Sequence, residues 1–260
     1  EGFRRREGRA RVRDAGSPRV FPVRYRVLGL LFFLSFVNYF LRNNFSVVVP
    51  GIRAEFHFSQ EEIGWILASF NFAYALFQIP GGVFGDLVGP RRALALIAIT
   101  WGVLTALTGF TAELFAASAT GALFSLMAVR FLMGIANAPM YPVAAGAFEK
   151  WFPVGGWALP NSILSAGLTL GQAALGPIVT LLIIRYGWRE SFYVLAPIGL
   201  VAGAWWYWYA RDVPSQHRAD TAAELETIDA GREEAEGPPR SWGAVLVQRD
   251  VLLLACSYFC

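Results

Sequence analysis

Apolar residues run along the chain in long blocks, at 27–49, 62–84, 93–112, 119–148, 160–184 and 190–210, and a seventh block opens near 251. Each of the first six reaches about the 20 residues that a ~30 Å hydrocarbon layer demands of a helix rising 1.5 Å per residue. Backbone N–H and C=O groups cannot cross lipid unpaired, so the blocks predict helices rather than open strands. The pattern therefore predicts an all-α membrane protein with six spans and the beginning of a seventh.

Composition and charge sharpen this picture. Of 260 residues, 55% are hydrophobic and only 16% charged, against about 25% charged in an ordinary soluble domain. The charges are also segregated. Nine of the 22 basic residues fall in positions 1–26, and eight of the 19 acids fall in 211–248. When loops are assigned to alternate sides, 17 basic residues collect on the side of the N-terminus and three (Arg53, Arg185 and Arg189) on the other. The excess of basic residues places the N-terminus and 211–248 in the cytoplasm of a multi-pass protein of the plasma (inner) membrane. The net charge of +3 thus reflects an orienting tail and implies no nucleic-acid partner. Cys256 and Cys260 lie one helical turn apart in the last apolar run, so they imply no disulfide framework. The first block follows a long basic tail without a small-residue cleavage site and reads as a retained span.

Four regions result. They are a basic tail (1–26), a six-helix bundle (27–210), a polar linker (211–248) with one short surface helix across AAELETIDA, and the start of a seventh span (249–260). Six spans, a long cytoplasmic linker and a new span form the layout of a transporter built from two six-helix halves. The chain begins at Glu1 and stops inside an apolar run, and so reads as the N-terminal half of such a protein, whose partners would be the lipid bilayer and a missing C-terminal half.

Two charges stand inside the spans, Arg42 near the middle of the first and Arg130 well inside the fourth. An arginine at mid-bilayer costs ~2.5–3.5 kcal/mol on insertion scales, so each must face a polar cavity or a partner. No Asp or Glu lies centrally in any of the six spans; Asp86, Glu113, Glu149 and Glu190 all lie at span ends. The natural counter-ion is then an anionic substrate held by a planar guanidinium. The alternative is that an arginine bonds to backbone carbonyls or reaches the headgroups as a structural residue. Asn38, Tyr39 and Ser46 share the helix face of Arg42. Asn71, Tyr74 and Gln78 in the second span, and Ser165, Thr169 and Gln172 in the fifth, repeat the 3-and-4 spacing, and Asn137 lies two turns from Arg130. Spans 1, 2, 4 and 5 are expected to line a wet space, and spans 3 and 6 to face lipid. No metal site or cofactor is implied. His57 and His217 fall in loops and no acid is buried at depth, which argues against a membrane-embedded enzyme. A sensor built on a transporter scaffold remains a different class, recognisable by binding without net flux.

The turn after the second span contains Gly82, Asp86, Gly89, Arg91 and Arg92 in the spacing G-x-x-x-D-x-x-G-x-R-R. Its glycines permit a tight turn, Asp86 offers a carboxylate to helix N-terminal amides, and the arginines can pair across an interface to latch one conformation. This spacing resembles the signature loop of the major facilitator superfamily, and Arg130-Phe131-Leu132-Met133-Gly134 resembles that superfamily's fourth-helix R-x-x-x-G motif. The segments RFLMGIANAPMYP, EKWFP, GLTLGQAALGP, YGWRESFY and DVPSQH followed by AAELETI are similar, in order, to the anion:cation symporter family, which moves sugar acids and other organic carboxylates.

The resemblance implies a six-helix N-terminal bundle of 3+3 inverted repeats. It also implies secondary active transport of a small organic anion by alternating access, with a coupling proton or sodium ion as a further partner. On the resemblance, Arg42, Arg130, Tyr39 and Tyr74 match positions that bind the substrate anion, Arg130 as a second anion contact or as a coupling element. Two positions depart from the proton-coupled pattern, which has Asp before the first-helix arginine and Glu seven residues after the fourth-helix arginine. Here they are Leu41 and Asn137, and neither titrates. The segment YFLRNNF is in addition similar to the organophosphate:phosphate antiporters, which makes a phosphate-type antiporter, or an uncoupled anion facilitator, the alternative.

Overall fold

The start of the second span is written into its first residues. The Ser59 hydroxyl accepts the Glu62 N–H (3.2 Å) and the Glu62 carboxylate accepts the Ser59 N–H (2.8 Å), so two otherwise orphaned amides are satisfied reciprocally. In the computed structural model, which describes residues 22–114, 118–217, 222–229, 248, 249 and 253, every apolar block within the described residues is helical. The tail up to 21, the linker beyond 229 and the expected seventh span with its two cysteines lie outside the described residues, save for single positions.

The helices are α1 (Val23–Phe56), α2 (Gln60–Leu76), α3 (Gln78–Val88), α4 (Pro90–Leu114), α5 (Ala119–Asn137), α6 (Met140–Trp151), α7 (Ala158–Tyr186), α8 (Trp188–Tyr209) and α9 (Ala222–Asp229). The chain is a multi-pass membrane protein by length and composition. α1, α4, α5 continued by α6, and α7 are each long and apolar enough to cross a bilayer, as is the bent pair α2–α3 taken together. The 53° bend in that pair follows from Pro80, whose ring nitrogen cannot donate to the carbonyl of Leu76. α8 falls short of the same hydropathy measure because its last five residues are Trp205, Trp206, Tyr207, Trp208 and Tyr209. At 22 residues it would still reach about 33 Å, enough for a span. Among the described residues, six segments are thus long enough to span, and five of them are also apolar enough.

The principal pairings are α1 with α7, α2 with α5 and α4 with α8. Exchanging the first three spans for the last three maps this set onto itself, as a 3+3 repeat requires. The α4–α8 contact runs through small residues. A Cβ on Gly199 would lie 2.8 Å from the Gly102 nitrogen, and one on Gly102 would lie 2.7 Å from the Ala196 carbonyl oxygen. With lipid all around there is no hydrophobic drive to bring the helices together, and close backbone approach supplies the packing instead. The interior is filled by Leu31, Leu34, Phe45 and Ile52 of α1 against Ile66, Trp101, Leu126, Met133 and Met140. Outward faces remain apolar, with Leu96, Ile99 and Val103 on α4 and Val194, Val201 and Trp208 on α8 exposed, as expected of spans 3 and 6.

Two ion-pairing arrangements close the bundle at its ends. At one end, Arg189 forms a two-pronged pair with Glu55, which also accepts from Trp188 Nε1 (3.0 Å), joining α1 to α8. At the other end, the start of the linker folds back. Glu224 on α9 is buried and accepts the N–H groups of Val23 and Arg24 (3.1 Å each), capping α1. The expected short helix forms over Ala222–Asp229, yet it is anchored to the bundle rather than merely lying on the surface. His217 sits between the Trp151 ring (6.1 Å) and the Tyr209 ring (5.1 Å).

Burial, then the Arg211 and Arg26 guanidiniums, hold the His217 imidazole below its usual range, with Glu224 opposing. The unfolded chain therefore takes up this proton at a higher pH than the folded chain. The stability that neutral His217 contributes is complete above about pH 6.5 and is lost as pH falls through that value toward the lowered one. The melting temperature of the purified full-length protein should fall between about pH 7.5 and 5.5, and His217→Phe, which keeps the ring, should flatten part of that fall. Parallel curves for the two proteins would remove His217 as a cause.

Candidate functional site

The central feature is a pair of arginines brought face to face with one phenyl ring. Arg42 projects from α1 into an aromatic cage, its guanidinium carbon 4.5 Å from the Tyr74 ring centre, 4.8 Å from Phe70 and 5.3 Å from Tyr39. Arg130, from α5, lies 4.7 Å from the same Phe70 ring and 4.8 Å from Phe45. Each such contact contributes ~0.5–2 kcal/mol, more where water is excluded. Together they stand in for the carboxylates that the spans lack.

The two guanidiniums differ in what they have left to give. Arg130 is 5% exposed and donates Nη1–H to the backbone carbonyl of Arg42 (3.3 Å), while its Nε–H has no partner among the described residues. Arg130 thus takes the backbone-bonded arrangement that was the structural alternative to its expected roles as anion contact or coupling element, and it braces the helix that carries Arg42. Arg42 is half-buried, and its guanidinium makes no hydrogen bond among the described residues. Its N–H fork is open to a carboxylate or phosphate arriving from the exposed side.

The sequence spacing R-x-x-x-G acquires a physical reason here. A Cβ on Gly134 would run into the backbone carbonyl of Phe70, so only glycine lets α2 approach α5 at this level. That approach seats the Phe70 ring against Arg130, one turn earlier on α5. Phe70 was not among the expected site residues, because an apolar aromatic on a span carries no mark of its own. Its stacking on Tyr74 (6.0 Å, 12° between planes) continues the cage along α2.

One turn along α1 from Arg42, the Asn38 side-chain amide donates to the Asn137 carbonyl oxygen in a short hydrogen bond, and Asn137 in turn donates to the Met133 carbonyl (2.9 Å). Both asparagines are 2% exposed. They form a neutral, internally satisfied bridge between α1 and α5, at one of the two positions where a titrating carboxylate was absent from the sequence. Leu41 is buried in the apolar core.

Gln78, half-buried, lines an open groove with Gly82, Asp86 and Pro142. Gln172 is exposed on α7, as are Ser165 and Thr169, and Thr169 donates to the Ser165 carbonyl (3.0 Å). Asn71 is also exposed and returns its amide to the Leu67 carbonyl (3.3 Å). Of the four polar stripes, those of α1 and α5 meet in the interior, with Tyr74 joining from α2.

In the signature turn the acid that meets the helix start is Asp212 rather than Asp86. The Asp212 carboxylate accepts the Arg91 N–H (2.9 Å) in the first turn of α4, and Gly89, at φ +87°, leaves the room it occupies. The Arg91 side chain turns to the Tyr207 carbonyl (3.0 Å) and lies over the Tyr207 ring (4.5 Å). Asp86 and Arg92 are exposed.

A family model described as the Major Facilitator Superfamily matches residues 31–260. A probable sulfoacetate transporter of Cupriavidus necator is 33% identical over 79% of this chain and 46% of its own length. A probable L-galactonate transporter of Escherichia coli is 30% identical over 87% of this chain and 48% of its own. A hexuronate transporter of Bacillus subtilis is 28% identical over 90% and 52%. The chain spans about half the length of the curated relatives it matches. The crystal structure of a bacterial homolog of the human lysosomal transporter Spinster, inward-facing and unoccupied, superposes with a TM-score of 0.61 at 22% identity over 85% of this chain and 50% of that one, a likeness of fold. These matched proteins are transporters rather than enzymes.

If Gly134 is needed for the α2–α5 approach, Gly134→Leu should cost about 1–3 kcal/mol or more through overpacking. Gly146→Leu, where an added Cβ meets nothing within 4 Å, should be neutral. Thermal unfolding of the two purified full-length variants checks this, and equal melting temperatures would contradict it.

Proposed function

The chain belongs to the major facilitator superfamily, and on that premise we propose that it is the N-terminal half of a secondary active transporter for a small organic anion such as a sugar acid or another carboxylate. The observation that carries this reading is Arg42. It is a half-buried guanidinium inside the bundle, caged by Tyr39, Phe70 and Tyr74 and with its hydrogen-bonding edge unengaged among the described residues. An anion that docks there gains a charge-assisted, two-pronged contact and neutralises a charge that otherwise stands uncompensated. The relatives named for sulfoacetate, L-galactonate and hexuronate transport support the same substrate chemistry.

In this reading Arg42 binds the carboxylate and Tyr39 and Tyr74 set its approach. Arg130, sealed from solvent, holds the α1 backbone in place and adds positive potential without touching the ligand. Asn38 and Asn137 fix the spacing of α1 and α5. The end of the bundle where α1 and α4 begin faces the cytoplasm. There Asp86, Arg92 and the groove beside Gln78 and Gly82 are left open for the second six-helix half, which would close over them in one state of the alternating-access cycle. Transport is coupled to a cation, and the coupling site lies away from Leu41 and Asn137, since neither side chain carries a titrating proton.

Arg42→Gln in the full-length protein should reduce uptake of the transported anion at least ~100-fold, the scale of losing a charged hydrogen-bonded contact, while leaving membrane insertion unchanged. Retained uptake would remove Arg42 from the site. Uptake into proteoliposomes should also survive collapse of the proton gradient alone when a sodium gradient is kept. Its loss under that condition would show that protons drive transport through other residues.

A further inference from the structure

Where α1 begins and α8 ends, the two helices leave a groove of about 370 Å³, lined by Arg26, Gly29, Leu30, Trp205 and Tyr209. The α1 wall is one helix face, since Arg26, Gly29, Leu30 and Phe33 follow at steps of three and four residues. Its middle is hollow. A Cβ on Gly29 would meet nothing within 4 Å, so at this level α1 offers backbone and no side chain. Further along the same face Phe33 packs against Trp205, with 5.7 Å between ring centres.

The groove has one charged end and one apolar end. Arg26, in the first turn of α1, is exposed, and no hydrogen bond or ion pair engages its guanidinium among the described residues. Glu224, at the same end, is already committed to the N–H groups of Val23 and Arg24 and to the Arg24 guanidinium (3.9 Å). Arg26 and Arg211 both act on His217, so positive charge gathers here. Phe33 lies seven residues beyond Arg26, about 10 Å deeper along α1. On α8, Trp205, Trp208 and Tyr209 form an aromatic cluster of the kind that sits at the boundary of headgroups and hydrocarbon. That boundary puts Arg26 at headgroup level and Phe33 among the acyl chains.

We propose that this groove binds an anionic phospholipid, with its phosphate on Arg26 and a chain lying over Gly29 toward Trp205 and Phe33. The proposal does not depend on the reading of Arg42. The occupant must join a negative charge to apolar length within about 10 Å. A free phosphate supplies only the charge, and a zwitterionic lipid supplies the length without the net charge. The acidic stretch GREEAEGPPR of this chain has no large apolar side chain beside its acids to fill the space over Gly29. A phosphate diester gains a charge-assisted contact from the unengaged guanidinium, and basic groups at the membrane surface attract anionic lipid. The bare backbone at Gly29 lets the chain lie close against the helix.

Native mass spectrometry of the purified full-length protein, titrated with phosphatidylglycerol and phosphatidylcholine of identical chains, tests this. The tightest site should hold phosphatidylglycerol about tenfold more strongly, the scale of one charged hydrogen-bonded contact. Arg26→Ala should bring the two lipids to near parity, and Arg26→Lys should retain part of the preference. Gly29→Leu, which fills the hollow, should weaken both lipids. Arg26→Ala alters an exposed side chain, so the test stands even where Gly29→Leu fails to fold. sn-Glycerol 3-phosphate, a head without tails, should not displace the lipid. Equal binding of the two lipids by the parent protein, or a preference that survives Arg26→Ala, overturns the assignment. Displacement by glycerol phosphate also overturns it and makes the groove a free-phosphate site. Unchanged lipid binding in folded Gly29→Leu overturns it as well, leaving the groove to another part of this chain or, where a dimer is lost, to a second copy.

Discussion

Two positive charges inside a helical bundle with no acid to neutralise them set the terms for everything around them. Desolvated guanidiniums near the bilayer centre are expensive, and like charges repel. The fold answers with rings. Phe70 lies 4.8 Å from one guanidinium and 4.7 Å from the other, so the negative face potential of a single phenyl group is shared between two cations. Phe45, Tyr39 and Tyr74 complete the enclosure. An aromatic cage lowers the cost of the charges without cancelling them, whereas a salt bridge would have cancelled them. The site stays electropositive and therefore receptive to an anion.

The division of labour between the arginines follows from their depth. Arg130 directs one N–H at the Arg42 carbonyl and is shut in by Phe45 and Phe70. Arg42 keeps its N–H fork unengaged among the described residues. One cation is bonded to the α1 backbone at the level of the other. The glycine that follows Arg130 by one turn makes this possible, because the α2 backbone could not otherwise come close enough to place Phe70. Charge, ring and glycine form one unit.

Much of this was legible in the sequence, and the legible part has a common cause. The spans are visible because a hydrocarbon layer imposes a length and a polarity on any helix that crosses it. Arg42 and Arg130 stand out because a charge there is costly, and the α1 polar face is visible because 3-and-4 spacing fixes which side chains align. What escaped depends on which helix meets which. Phe70 looks like an ordinary span aromatic until α2 is placed against α1 and α5. Gln78 and Gln172 had the right spacing within their own helices, but spacing says nothing about which neighbour a face meets; Gln78 is half-buried beside Gly82 and Asp86, and Gln172 is exposed. Asp86 sat in the more conspicuous pattern, while Asp212, more than a hundred residues further on, reaches the α4 start.

That last exchange points to an economy at the end of the bundle where α1 and α4 begin. Each of these helices opens with N–H groups that no intrahelical carbonyl can satisfy. α1 is met by Glu224 and α4 by Asp212, both supplied by the chain that follows α8. Each carboxylate lies at the positive end of a helix dipole, where its charge is stabilised. The acids that make 211–248 look like a solvated linker are therefore not all solvated, and two of them fasten the start of that segment to the helices that carry Arg42 and the signature turn. Among the described residues, the chain that follows α8 is thus tied at Asp212 and at Glu224 to the starts of the bundle's own helices.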